Sequence, residues 1–411
     1  MVKPVTTMTH DTNIPQGYKA TALGIIPQEW EVKRLGEICT YFKSGEGITS
    51  KDISENGQYP VYGGNGLRGY TDKKYTHDGA YILIGRQGAL CGNINYVTGK
   101  CYISEHAIAV QTKGDLSWLR YKLDFWNLNR YSESSAQPGR SVEKLVRYKL
   151  TVPPLAEQRK IAEVLGVWDE AIEKQARLIE KLALRKRALM QRLLSAKLRL
   201  PGFSEPWEKV KLGDIGHFLS SNTLSRDCLN EQIGNIKNIH YGDILIKLPT
   251  IVDASFIHIP YVNDDVIVKS DYLKNGDIIF ADTAEDYTVG KAIEIINIQA
   301  IPVTSGLHTI PFRPKSGIFV NRFLGYYVNS TDYRRQLQPL IQGIKVYSIS
   351  KTALCKTTLK IPTLSEQTAI AEVLTAADRE IELAKEKLER LRRQKRGLMQ
   401  QLLTGKRRIK Y

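Results

Sequence analysis

The residues of this chain with the clearest chemical potential are hydrogen-bonding side chains set among glycines. Asn65, Arg68, Tyr70, Lys73, Lys74, Arg86, Gln87, Asn93, Asn95 and Lys100 fall within or beside loops such as YGGNGLRGY. Arginine or lysine matches the acceptor edge of guanine, asparagine or glutamine the mixed edge of adenine, and further lysine and tyrosine can hold phosphates. Glycines let a backbone approach a duplex closely. A second stretch offers Asn222, Arg226, Asn235, Lys237, Asn238, Lys247, Tyr287 and Lys291. It continues into QGIKVY, with Lys345 and Tyr347, at the place where the first stretch has QPGR with Arg140. Each residue alone is an ordinary polar loop residue. As two sets they predict a surface that reads DNA. His106 and His308 read as core or hydrogen-bonding histidines rather than ligands.

Signatures for catalysis are absent from the sequence. There is no G-x-x-x-x-G-K-[S/T] phosphate loop, no H-E-x-x-H, no G-x-S-x-G elbow and no paired Cys/His spacing. The Asn/Asp-Pro-Pro-aromatic signature of amino-group methyltransferases is missing too, since the only Pro-Pro, Pro153-Pro154, is followed by leucine. The five cysteines are scattered and never in C-x-x-C spacing, which argues against a disulfide framework and for a reducing cytoplasm. No apolar run of about 18 residues occurs, and the start MVKPVTTMTHDTN lacks the apolar stretch of a signal peptide. A soluble, cytoplasmic protein is expected. With 42% hydrophobic and 25% charged residues the composition is globular, and a net charge of +16 favours a polyanionic partner.

Something must position those loops, and an internal repeat supplies the candidate. Shifting the chain by 209 positions aligns 152–200 with 361–409, and 23 of the 49 pairs are identical. LAEQRKIAEVL at 155 thus returns as LSEQTAIAEVL at 364. A shift of 177 aligns WEVKRLGEI at 30 with WEKVKLGDI at 207, so the intervening module is longer in the second copy. Each repeat reads as one long helix. Thr363-x-x-Glu366 has the form of a capping box, and apolar residues alternate at spacings of four and three, the repeat of about 3.5 residues that makes a coiled coil. The seam runs through Ile161, Leu165, Ile172, Ile179, Leu182, Leu189 and Leu193 in the first copy. In the second it runs through Ile370, Leu374, Ile381, Leu388, Leu391, Leu398 and Leu402. A narrow apolar stripe on a rod about 60 Å long needs a partner, and the other copy is the nearest. The pairing could be parallel or antiparallel; with a module ahead of each helix, an antiparallel pair puts one module at each end. Basic runs at 181–199 and 390–410 hold no acid and read as a surface for phosphates.

The modules, of α+β type, alternate strand-like runs (YILIG, DIIFA) with loops, and both place a glycine-led apolar strand ahead of a histidine. The expected divisions are a leader at 1–22, modules at 23–152 and 201–361, and repeat helices at 153–200 and 362–411.

The order W-x4-L-G-[E/D]-I, variable module, P-x-L-x-E-Q-x2-I-A-E-V-L, helix ending in LMQ-x-LL, given twice, resembles the specificity subunit of Type I restriction–modification systems. The likeness runs from about residue 26 to 410. It implies two α/β target recognition domains separated by two long helices in an antiparallel coiled coil, with pseudo-two-fold symmetry. Each domain would read one half of a split double-stranded DNA target, and the helices would set the gap and help dock two modification subunits. It also implies that the chain has no catalytic role and no cofactor of its own. S-adenosylmethionine, ATP and Mg would be bound by modification and restriction/translocase subunits. Two other readings stay open on the residues: a stand-alone adenine-specific DNA methyltransferase with a related recognition domain, and a coiled-coil scaffold for proteins only.

Overall fold

The computed structural model describes residues 14–86, 91–128 and 142–409. The chain divides into two compact units, Met1–Gln175 with Lys387–Tyr411, and Ala176–Glu386. The repeats form two helices of 39 residues, Leu155–Leu193 and Leu364–Leu402, and each helix gives one part to either unit. Each module shares one apolar core with the helix segments beside it, which binds module and helix into a single body.

In the first unit a hairpin, Tyr18–Thr21 with Gly24–Pro27, precedes the module, so the expected leader boundary at residue 22 falls in its turn. The strand Glu31–Arg34 then pairs antiparallel with Lys149–Val152, which places the beginning and end of the module side by side. Between them lies a four-stranded antiparallel sheet in the order Cys39–Ser44, Ala107–Thr112, Tyr81–Gly85, Ile94–Val97. The run YILIG is buried throughout because both faces of its strand are covered. A smaller sheet joins Gly66–Thr71, Tyr59–Gly63 and Tyr102–Ile103. The helix Leu116–Phe125 starts where the Asp115 carboxylate accepts from Trp118 N at 2.7 Å, and it buries Trp118, Leu119 and Leu123.

The second unit repeats this plan. Glu208–Lys211 pairs with Thr358–Ile361, again joining the two ends of a module. Its main sheet has the order Gly216–Phe218, Thr309–Pro314, Ile278–Ala281, Ala292–Ile296, with a fifth strand, Ile251–Asp253, added in parallel. That strand belongs to the extra length that the two alignment shifts reveal. The side sheet joins Leu229–Asn230, Tyr261–Val262, Lys237–Ile239 and Val303–Ser305.

Within each unit the helix segments run antiparallel. In the first, Arg408 Nε donates to Glu157 Oε1 at 2.8 Å and Lys395 Nζ to Asp169 Oδ1 at 2.6 Å, so one segment descends as the other climbs. In the second, Arg199 Nε donates to Glu366 Oε1 at 2.6 Å and Lys186 Nζ to Asp378 Oδ1 at 2.5 Å. These are the same bonds with the helices' roles exchanged, since every pair is related by the shift of 209. Each module grips the same carboxylates. Trp30 Nε1 donates to Glu157 at 2.9 Å and Trp207 Nε1 to Glu366 at 3.0 Å, while Tyr121 Oη reaches Asp169 at 2.5 Å and Tyr326 Oη reaches Asp378 at 2.7 Å. Burial alone would raise the Asp169 carboxyl, but the bonds from Lys395 and Tyr121 outweigh it and hold the group below its ordinary range. Along the seam, Ile161, Leu165, Leu182, Leu193, Ile370, Leu374, Leu388 and Leu402 are buried. Ile172, Ile179, Leu189, Ile381, Leu391 and Leu398 are half-buried.

Candidate nucleic-acid interface

At one edge of each main sheet the backbone is built the same way. In the first module Gly85 N donates to Asn93 O at 2.8 Å, Gly92 N to Gly85 O at 2.7 Å and Arg86 N to His106 O at 3.0 Å. In the second, Ala281 N donates to Lys291 O at 2.9 Å, Gly290 N to Ala281 O at 2.8 Å and Asp282 N to His308 O at 3.1 Å. Arg86 thus corresponds to Asp282, Asn93 to Lys291, and His106 to His308. The frame is common and the side chains are not.

In the first module the Gly63–Gly66 turn meets this frame. A Cβ on Gly64 would lie 2.9 Å from His106 O, so a glycine is what allows the approach. Asn93 Nδ2 donates to Asn65 Oδ1 at 3.4 Å, which brings Asn65, Arg86, Asn93 and His106 to one edge. Arg68 is exposed beside the turn. Tyr70, Lys73 and Lys74 follow the strand Gly66–Thr71 to its other end, away from that turn. Lys73 there pairs with Asp52 at 2.8 Å, and that bond raises its ammonium above the ordinary lysine range. Lys100 sits 5.1 Å from the centre of the Tyr75 ring. Gln87 and Arg140 lie outside the described residues.

The second module departs further from the sequence reading. Asn222 and Asn238 are 6% and 0% exposed, and Asn222 Nδ2 donates to Asn238 Oδ1 at 2.8 Å. With Thr304 Oγ1 donating to Asn238 Oδ1 at 2.9 Å they form an interior network, which leaves neither amide turned toward a base. Arg226 makes two bonds, at 3.0 and 2.9 Å, to the buried Asp243 carboxylate. Lys291 sends its ammonium inward to Leu245 O at 2.9 Å, where burial lowers its pKa. Lys237 lies 5.5 Å from the Tyr261 ring centre. These side chains hold a long insertion together, a task that loop composition alone does not reveal.

What the edge of the second module presents instead is aromatic and imidazole. His308, in a left-handed conformation at φ 55°, has Nδ1 at 3.2 Å from Thr283 Oγ1 and 3.3 Å from Asp282. The Tyr241 ring meets it edge-on at 5.3 Å, and His240 packs on Tyr241. Burial first, and the Arg226 cation second, lower the His240 pKa. Thr283–Ala284 pairs with Tyr347–Ser348, and Tyr347 stacks on Tyr287 with ring centres 4.9 Å apart. Lys345 and Tyr347 therefore belong to the same edge. Tyr241, Asp282 and Thr283 carry no signal in the sequence, and only the common glycine-to-histidine pattern points at His308. His106 and His308 are both solvent-accessible, at 42% and 45%.

The basic helix runs are partly committed within the fold. Arg185 pairs with Glu380, Lys186 with Asp378, Arg199 with Glu366, Lys395 with Asp169 and Arg408 with Glu157 and Glu29. Arg187, Arg192 and Lys197 are exposed. Among the described residues no cluster of His, Cys, Asp or Glu could hold a metal ion, and no helix is long and apolar enough to cross a membrane.

The family described as the Type I restriction modification DNA specificity domain matches this chain twice, at 27–183 and 204–393. The chain belongs to this family. Each match takes in one module and most of one repeat helix. The Type I restriction enzyme EcoprrI specificity subunit of Escherichia coli is 42% identical over 160 residues, 37% of this chain and 39% of that one. The MjaVIII specificity subunit of Methanocaldococcus jannaschii is 27% identical over 412 residues, 94% of each chain. The fold is also that of a crystallised S subunit of a Type I restriction–modification system from M. genitalium, with a TM-score of 0.55 at 17% identity over 91% of this chain and 96% of that one. Members of this specificity-domain family recognise DNA sequence, assemble with modification and restriction subunits, and leave catalysis to them.

Proposed function

We propose that this chain reads a two-part DNA target, one half with each module, and that the paired repeat helices set the gap between the halves. One observation carries the reading: two edges share the hydrogen-bonded frame of Arg86–His106 and Asp282–His308 but carry different side chains. A common frame suits one mode of docking on a duplex, and different side chains suit different sequences. The exchanged bonds of Asp169–Lys395 and Asp378–Lys186 support an antiparallel seam, and thus a spacer of fixed length. The doubled Trp–Glu–Arg anchors support two related seats for two copies of a modification subunit. S-adenosylmethionine, ATP and Mg are assigned to the partner subunits, and the work takes place on DNA in the cytoplasm.

Methylome sequencing of cells that express this chain with its modification subunit tests the reading. The expected result is a target of two unlike halves with a fixed gap. Removing one heptad from both repeat helices should shorten the gap and leave both halves as they were. A single continuous target, or a deletion that alters the bases read while the gap stays, would overturn it.

A further inference from the structure

The hairpin Gln342–Ser348 of the second module ends in a side chain with no task inside the protein. It is closed by Gln342 N donating to Ser348 O at 3.0 Å and Ser348 N to Gln342 O at 2.8 Å. Ile349 N donates to Asp282 O at 2.9 Å, and Tyr347–Ser348 pairs with Thr283–Ala284, so the hairpin stands on the candidate interface itself. Gly343 takes φ 121°, and a Cβ there would fall on Val346 O, so the turn is tight and demands glycine. At the tip Ile344 is 91% exposed, the highest value among the exposed large apolar residues described. Val346 beside it is 54% exposed, and Lys345 lies between them. The stacked pair Tyr287–Tyr347 buttresses the base.

A hydrogen-bonded hairpin that holds a branched aliphatic group in water, next to a cation, marks a contact surface. On a duplex, phosphates suit Lys345 but offer Ile344 nothing. The apolar surfaces there are base faces and thymine methyl groups, and base faces become available when a step opens. We propose that Ile344 is an apolar wedge that enters the duplex at a step in or beside the second half-site and unstacks it, with Lys345 on the adjoining phosphate. This rests on the reading of the second module as a DNA reader and adds to it a deformation of the target. The deformation has a use. A base modified within a duplex must leave the stack, and a neighbouring step already opened lowers the cost of its departure.

The test uses the complex of this chain with its modification subunit and duplexes carrying the target found by methylome sequencing. 2-Aminopurine is placed in turn at each step of both half-sites and their flanks, except at the base that methylome sequencing shows to be modified, and affinity is read separately by anisotropy of an end label. One step at the second half-site should brighten severalfold on binding. Ile344→Ser should abolish that signal at saturating protein, while Lys345→Ala should weaken binding and its salt dependence yet keep the signal. An unchanged signal in Ile344→Ser, or no bright step in the wild type, would overturn the wedge. So would affinity lost on replacing thymine by uracil without brightening, which would assign Ile344 to a thymine methyl group. Assembly of the DNA-free complex impaired by Ile344→Ser would assign it to a protein contact instead. Failure of the wild-type complex to prefer its target would count against the underlying reading.

Discussion

Arg86 and Asp282 occupy the same place in two copies of one backbone and carry opposite charge. Around Arg86 the first module gathers amides and glycines; around Asp282 the second gathers His308, Tyr241 and a stacked tyrosine pair. The comparison separates what the fold needs from what the target needs. The strands and their hydrogen bonds are held in common, and the side chains facing outward are free to differ. The helices teach the converse. Asp169 and Asp378, with their lysine and tyrosine partners, are alike in both copies because each joins its module to the corresponding pair of helix segments.

The largest effect should come from breaking the likeness at its anchors. Glu157 and Glu366 are 0% and 1% exposed and each joins a tryptophan to an arginine. Replacing either by alanine should cost about 2–3 kcal/mol in urea unfolding, since it takes the acceptor from a tryptophan N–H and an arginine together. A large loss in one and none in the other would break the equivalence of the two anchors. Next come the edges. Arg86→Ala should weaken binding only through the first half-site and His308→Ala only through the second, each by about tenfold to a hundredfold. Duplexes with one half scrambled read this directly, and both variants affecting the same half would end the comparison. A smaller change sharpens it. Asn222→Ala should lower stability by roughly 1–2 kcal/mol while methylome sequencing returns an unchanged target, because the amide works inside the module.

The smallest effect concerns a position at which the modules part. Lys122 is buried with its ammonium on Thr151 Oγ1 at 2.8 Å and Leu403 O, whereas Tyr327 stands at the corresponding place of the second module. Burial lowers the Lys122 pKa to about 7. Above that pH the folded protein holds it neutral while the unfolded chain still binds the proton. Stability therefore rises with pH on its account, by about 1 kcal/mol between pH 7 and 8. Lys122→Met should remove that increment from the pH profile of unfolding, and a profile parallel to wild type would contradict it.

The long helices and their seam could be read from sequence because an apolar period survives without knowledge of any partner, and the repeat named the partner. The division into two modules was equally legible from the shifts of 209 and 177. The candidate site is a different matter. The structure brings Asn65, Arg86 and Asn93 to one edge and Lys345 and Tyr347 to the corresponding edge, while Asn222, Asn238 and Arg226 bind an insertion whose course no local pattern discloses. Polar loop residues look alike in sequence whether they face a base or a buried Asp243. His308 reads from sequence only as a core or hydrogen-bonding histidine, because a lone histidine carries no period and its φ of 55° leaves no trace in composition.

Glu31–Arg34 lies alongside Lys149–Val152, and Glu208–Lys211 alongside Thr358–Ile361. Each module thus begins and ends at a single two-stranded stem. A genetic crossover within the two stem segments would replace the whole of the variable cargo at a stroke and leave the helices beneath untouched. The stems pair in the same register, so a cassette taken from one slot would find matching joints in the other. Such an exchange would replace every outward side chain of one edge in one event, with no half-altered module having to fold in between.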